Sequence, residues 1–160
     1  MSLFETEGYQ WRETYFVLFR EPDRPSAEAV VNGLNKGSQR YSVSNVQADA
    51  RGRFESVTVV SPDDFSAMDI IYVTGDEVLE HIDELSREIA RATLTDDDRK
   101  KLSWLQQCTA RIDIYHFEQV TCGANEEEEF LDPGSLIIVL RRLAKVCHGV
   151  GVDPQSGMLM

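Results

Sequence analysis

His116 and Glu118 stand two residues apart in the segment 109–120, TARIDIYHFEQV. On an extended strand, residues i and i+2 share a face, so this imidazole and carboxylate project together with Ile112 and Ile114. A histidine beside a carboxylate is a tuned general base or a metal ligand when it opens on a cavity. When it does not, it is a satisfied core pair. Cys122, just before Gly123 in a loop segment, completes the candidate ligand-binding set of His116, Glu118 and Cys122. Nearby acids raise a thiol's pKa, which argues against Cys122 as a nucleophile.

Cys108, Cys122, Cys147, His116 and His148 hold the soft metal-ligand chemistry of the chain. Zinc sites announce themselves through close pairs at fixed spacing, and the only close pair is Cys147-His148. Neighbours on a helix diverge by about 100°, so these two do not converge on one ion. Cys147 reads as a small core residue, and His148 as a residue at a helix C-terminus. Glu126, Glu127, Glu128, Glu129 and Asp132 offer hard oxygen ligands but lack the spaced DxDxDG pattern of a calcium loop, so they read as a solvated loop. Asp96, Asp97 and Asp98 read as a capped helix start. No metal and no cofactor are expected. GxSxG, GxxxxGK[ST] and GxGxxG are absent, which leaves Ser66, Ser103 and Ser135 without a nucleophile motif and the chain without a phosphate loop.

The net charge of −12 is unevenly placed. Residues 1–60 carry a net of −1, residues 61–132 a net of −13 and residues 133–160 a net of +2. Such a field repels phosphate backbones and anionic lipid and favours a protein partner with a basic surface. Arg51 and Arg53 are the only compact basic feature joined to an aromatic, Phe54, and are too little for a nucleic-acid surface. No apolar run nears the roughly 20 residues of a membrane span, and no secretory signal is visible at the N-terminus. Three cysteines without a CxxC pair suit free thiols in the cytoplasm.

The elements that must position these residues are legible as periodicity. Residues 133–148 are apolar at helical spacing through Leu136, Ile137, Leu140, Leu143, Ala144 and Cys147, with Asp132 and Pro133 to start the helix and Gly149 to stop it. This predicts the core helix. Residues 12–20 predict an interior strand, with Phe16 and Leu18 on one face and Tyr15, Val17 and Phe19 on the other. A short helix opens at Pro25 or Ser26, and Gly33 inside it makes it lean on tertiary packing. Residues 40–48 and 53–61 predict a hairpin, with Gly52 as the left-handed residue of its loop. Residues 68–74 predict a further strand. Residues 76–91 predict a helix whose buried stripe is Val78, Ile82, Leu85 and Ile89, and a third helix starts at the cap Thr95. Beyond Gly149 comes a last short strand, VGVD.

The order β-α-β-β-β-α-α-β-α-β predicts one domain over residues 1–160. Its class is an α+β sandwich, a mostly antiparallel sheet with helices packed on one face. In element order it resembles an elaborated ferredoxin-like arrangement. Element order names no activity. The expectation is therefore an interaction or regulatory module, with sheet edges available for a homodimer. The alternative is a small-molecule- or metal-binding protein or enzyme with its site near His116, Glu118 and Cys122.

Overall fold

The computed structural model describes residues 9–35, 41–61, 66–92, 94–119, 134–153 and 158–159. In chain order the elements are β1 (Tyr9–Phe19), α1 (Ala27–Leu34), β2 (Ser42–Ala48), β3 (Phe54–Ser61), β4 (Ser66–Thr74), α2 (Asp76–Ala90), α3 (Asp96–Leu105), β5 (Ala110–Gln119), α4 (Gly134–Cys147), β6 (Val150–Asp153) and β7 (Met158–Leu159). Among the described residues the strands form one seven-stranded sheet, ordered β2-β3-β4-β5-β1-β6-β7, with every neighbouring pair antiparallel. The chain reaches β6 from β5 through α4 and skips over β1. It reaches β4 from β1 through α1 and the β2–β3 hairpin and skips over β5. The two crossings interlock at the β1–β5 centre.

Alternation along β1 decides where the helices go. Tyr15, Val17 and Phe19 face the larger core, where α1 and α4 add Val30, Leu34, Leu136, Val139, Leu140, Leu143 and Cys147. Phe16 and Leu18 face the other way, into a second core with Val78, Ile82 and Leu85 of α2, Leu105 of α3 and Val152 of β6. The α+β sandwich is as expected, but its helices lie on both faces and not on one. The physical reason is β1 itself. A strand apolar on both sides needs cover on both sides, and the α2 stripe needs apolar ground that α1 and α4 leave free.

The expected core helix is α4. Leu136, Val139, Leu140 and Cys147 are fully buried, while Arg141 and Lys145 are exposed. Its expected start at Asp132 and Pro133 lies outside the described residues. Where α1 crosses α4, a Cβ at Gly33 would stand 2.7 Å from Val146 Cγ2, so the glycine that weakens α1 locally is what lets the two helices meet. Arg142 Nη1 donates to the Leu34 carbonyl at 3.0 Å, satisfying an orphan acceptor at the end of α1. The end of α4 differs from expectation. His148, with φ 53, is the left-handed residue, and Gly149 follows because a Cβ there would lie 2.5 Å from the Leu18 carbonyl oxygen.

Side-chain caps explain two other helix starts. Ser26 Oγ accepts from Ala29 N at 3.0 Å, and Thr95 and Asp98 form a reciprocal capping box at the head of α3. The β2–β3 tip turns through Gly52, at φ 78, and is tied to the chain before α1. Ala27 N donates to the Gly52 carbonyl at 2.9 Å, and Phe54 N to the Pro25 carbonyl at 2.9 Å. Arg53, expected as half of a basic feature, is taken up at this junction. Its Nε donates to Asp49 Oδ2 at 2.8 Å, and its Nη1 lies 3.8 Å from Glu21. The Arg53 amide, the Arg53 side chain and the Arg51 amide hold Asp49 down at about 2.

Candidate functional site

His116 sits on β5 between Met68 of β4 and Glu13 of β1, on the face shared by α1 and α4. It is 6% exposed, and its Nδ1 lies 3.2 Å from Glu13 Oε1. Burial pushes the ring below its ordinary pKa of 6.5, and Glu13 opposes that shift. Glu118 is not its partner, since the Glu118 carboxylate pairs with the Arg12 guanidinium at the rim. The expected histidine–carboxylate pair therefore exists with a different carboxylate, one that arrives from the neighbouring strand. Cys122 lies outside the described residues, as do Glu126 to Glu129.

The soft ligands separate. Cys147 belongs to the α1/α4 core and Cys108 to the α2/α3 core, on opposite faces of the sheet. Both thiols are free and buried, and burial pushes each up to about 12. Thiols held that far above neutrality are neither nucleophiles nor ready metal ligands. Among the described residues no three His, Cys, Asp or Glu side chains converge on a position for a metal ion.

A second polar cluster, on the α2/α3 face, is the one that opens to solvent. Arg111, Asp113 and Tyr115 alternate along β5, opposite Ile112 and Ile114. Arg111 Nε and Nη2 donate to the two oxygens of Asp113 at 2.5 and 3.2 Å, a bidentate pair whose side chains are only 10% and 5% exposed. Tyr115 donates its hydroxyl to Asp113 Oδ2 at 3.2 Å. Burial first, and then the Asp113 charge, raise the Tyr115 pKa and keep it a donor. The guanidinium carbon lies 5.0 Å from the Phe16 ring centroid, a cation–π distance.

His81 of α2 completes the cluster. Its Nδ1 lies 3.2 Å from Arg111 Nη1, and its ring meets Phe16 edge-on at 4.8 Å. Arginine only donates, so Nδ1 must accept and the proton must sit on Nε2. Burial first, and then the Arg111 charge, lower the His81 pKa, in agreement with a neutral ring. Around these groups runs a cleft of about 470 Å³, walled by Glu77, Glu80 and Glu84 of α2 and floored by Phe16, Arg111, Asp113 and Tyr115. The same sheet face continues over β4 and β3 into a groove of about 260 Å³, where Thr58 donates to the buried Asp69 at 2.8 Å.

Sequence reasoning misses His81, Arg111 and Asp113. The available signal is the i, i+2 alternation of Arg111, Asp113 and Tyr115, hidden because Ile112 and Ile114 mark the same segment as core. His81 carries no local signal, since its partners come from strands far away in the chain.

His116, buried, and His81, half-buried, give stability a pH dependence of one sign. A base whose pKa is depressed by folding binds fewer protons folded than unfolded. Its contribution is complete above 6.5 and is lost as the pH falls from there toward the folded value. The melting temperature is expected to drop as the pH is lowered through 6.5, and the drop should flatten in His81→Gln/His116→Gln. An equal slope in the double variant would contradict this assignment. Asp49, at about 2, acts in a separate, more acidic window.

Comparison with protein-family models, with curated proteins and with solved structures finds no match to this chain.

Proposed function

We propose that the protein is an interaction module that takes a basic segment of a partner protein into the cleft between α2 and strands β1 and β5. One observation carries this reading. Four carboxylates (Glu77, Glu80, Glu84 and Asp113) face a single guanidinium, Arg111, in a concave site floored by the rings of Phe16 and Tyr115. Arg111 is already paired with Asp113, so the three glutamates of α2 carry excess negative charge. Aliphatic stems ending in cations suit such a site, because the rings take the stems and the carboxylates take the heads. Spacing i, i+3, i+7 sets the glutamates along one flank of α2, about 4.5–6 Å apart along its axis. Cytoplasmic residence and avoidance of nucleic acid belong to the same proposal, motivated by free cysteines and the acidic middle of the chain. No helix among the described residues is long and apolar enough to cross a membrane.

Calorimetric titration of the full chain with a Lys/Arg-rich peptide tests the proposal. Binding should weaken steeply with salt, and Glu77→Lys/Glu80→Lys/Glu84→Lys should lower affinity by about tenfold or more, each rim charge being worth about 0.2–1 kcal/mol. If the α2 triple leaves affinity unchanged and reversal of Asp96 and Asp97 on α3 lowers it instead, the cleft is not the site.

A second reading rests on the part-buried Glu13–His116 pair, which favours a small-molecule or metal site near His116 and Glu118. A thermal-shift screen against metabolites and metals tests it. Ligand-induced stabilisation that survives His116→Ala would eliminate it.

A further inference from the structure

A different stripe of α2, outside the acidic cleft, has different chemistry. Leu79, Asp83, Ser86, Arg87 and Ala90 follow at i, i+4, i+7, i+8 and i+11, which on a helix is one continuous stripe beside the buried face. Asp83 and Arg87 pair with each other at 2.8 Å, so the stripe centre carries no net charge, in a chain of net −12. A groove of about 390 Å³ runs along it, bounded on the far side by Gln106 and Cys108. Leu79 rims that groove and is 47% exposed, one of three large apolar side chains so exposed among the described residues. Ser86, 7% exposed, lines the same groove, and its hydroxyl has no hydrogen-bond partner among the described residues. A buried hydroxyl left without a partner is destabilising until something supplies one.

We propose that a second copy of this chain covers the stripe, its α2 lying antiparallel to the first across a two-fold axis level with Glu84 and Leu85. The stripe is complementary to itself in that arrangement. Two-fold pairing about this point sets Leu79 of each copy over the Ala90 end of the other, so a large side chain meets a small one at both ends. It also sets Asp83 of each copy opposite Arg87 of the other, beside the groove that Ser86 lines, which exchanges ion pairs across the axis. Glu77, Glu80 and Glu84 stay outside the stripe, so each copy keeps its cleft open. β2, an edge of the sheet among the described residues, is a poorer seat for a second copy. Its pairing is interrupted by register shifts between Ser44 and Ala48, with Asn45 at φ 52, the kind of irregularity that blunts an edge. A contact built on one helix pair falls at the small end of specific interfaces, so the dimer should dissociate on dilution.

Sedimentation equilibrium of the full chain over a wide concentration range reads the outcome. The wild type should move from monomer to dimer, and Leu79→Glu should weaken the association about tenfold or more while leaving the thermal melt of the monomer in place. Asp83→Arg and Arg87→Asp should each weaken it, and the double exchange Asp83→Arg/Arg87→Asp should restore it, because both the pair within the helix and the pair across the axis return. A wild type that stays monomeric at all concentrations overturns the proposal. So does a dimer indifferent to Leu79→Glu, which would put the second copy at β2 or elsewhere, and so does open-ended assembly beyond the dimer. None of these outcomes bears on peptide binding in the cleft.

Discussion

Asp113→Ala should destabilise the fold by about 3–5 kcal/mol, the cost of leaving a buried charge without its partner. Arg111 and Asp113 have side chains only 10% and 5% exposed, and the carboxylate accepts two hydrogen bonds from the guanidinium and one from Tyr115. Once it is gone, Arg111 is left in contact with the Phe16 ring and a neutral histidine nitrogen, and the glutamates that wall the cleft are too solvated to replace a buried, bidentate partner. Denaturant unfolding checks the magnitude. The double variant Arg111→Met/Asp113→Leu should regain most of the loss, since replacing both partners by apolar groups of similar volume removes the desolvation cost with the attraction. A loss below about 1 kcal/mol in Asp113→Ala would mean that solvent screens the pair as it screens a surface bridge.

Leu140→Ala should cost about 2–5 kcal/mol, toward the upper end of that range. Leu140 is fully buried on α4, and it packs on β6 at Gly151, where a Cβ would stand 3.0 Å from Leu140 Cγ. A glycine has no side chain to swing into the vacated space, so the cavity stays open. The reciprocal variant makes the argument specific. Gly151→Ala should destabilise the wild type, by crowding Leu140, and should be better tolerated beside Leu140→Ala, where the added methyl has room. Equal costs in the two backgrounds would show that the two residues do not share that space.

Periodicity makes most of the fold legible. The stripe through Leu136, Leu140, Leu143 and Cys147 marks α4, and Thr95 followed by three aspartates marks the start of α3. Which face each helix covers is less so, although β1 holds the answer. Phe16 and Leu18 opposite Tyr15, Val17 and Phe19 require apolar cover on both sides, and α2 supplies it on one of them. Gly33 reads as a local weakness in the sequence and is a point of close approach in the fold, because propensity is a local property and the α1–α4 crossing is not. The candidate site is the least legible part. Glu118 draws attention to His116, yet the partner of His116 is Glu13, 103 residues earlier. His81 and Arg111 likewise meet only because α2 folds back across β5. Spacing along a chain reports pairs on one element, and these pairs join two.

The cleft beside α2 as the seat of a basic segment is the central claim. Backbone amide shifts of the full chain, followed by NMR during titration with a Lys/Arg-rich peptide, test it most directly. The expected result is a contiguous set of perturbed amides in Thr14–Phe16, Glu77–Glu84 and Arg111–Tyr115, reduced by added salt. Perturbations confined to α3, or centred on His116 and Glu118 with the α2 flank silent, would contradict it.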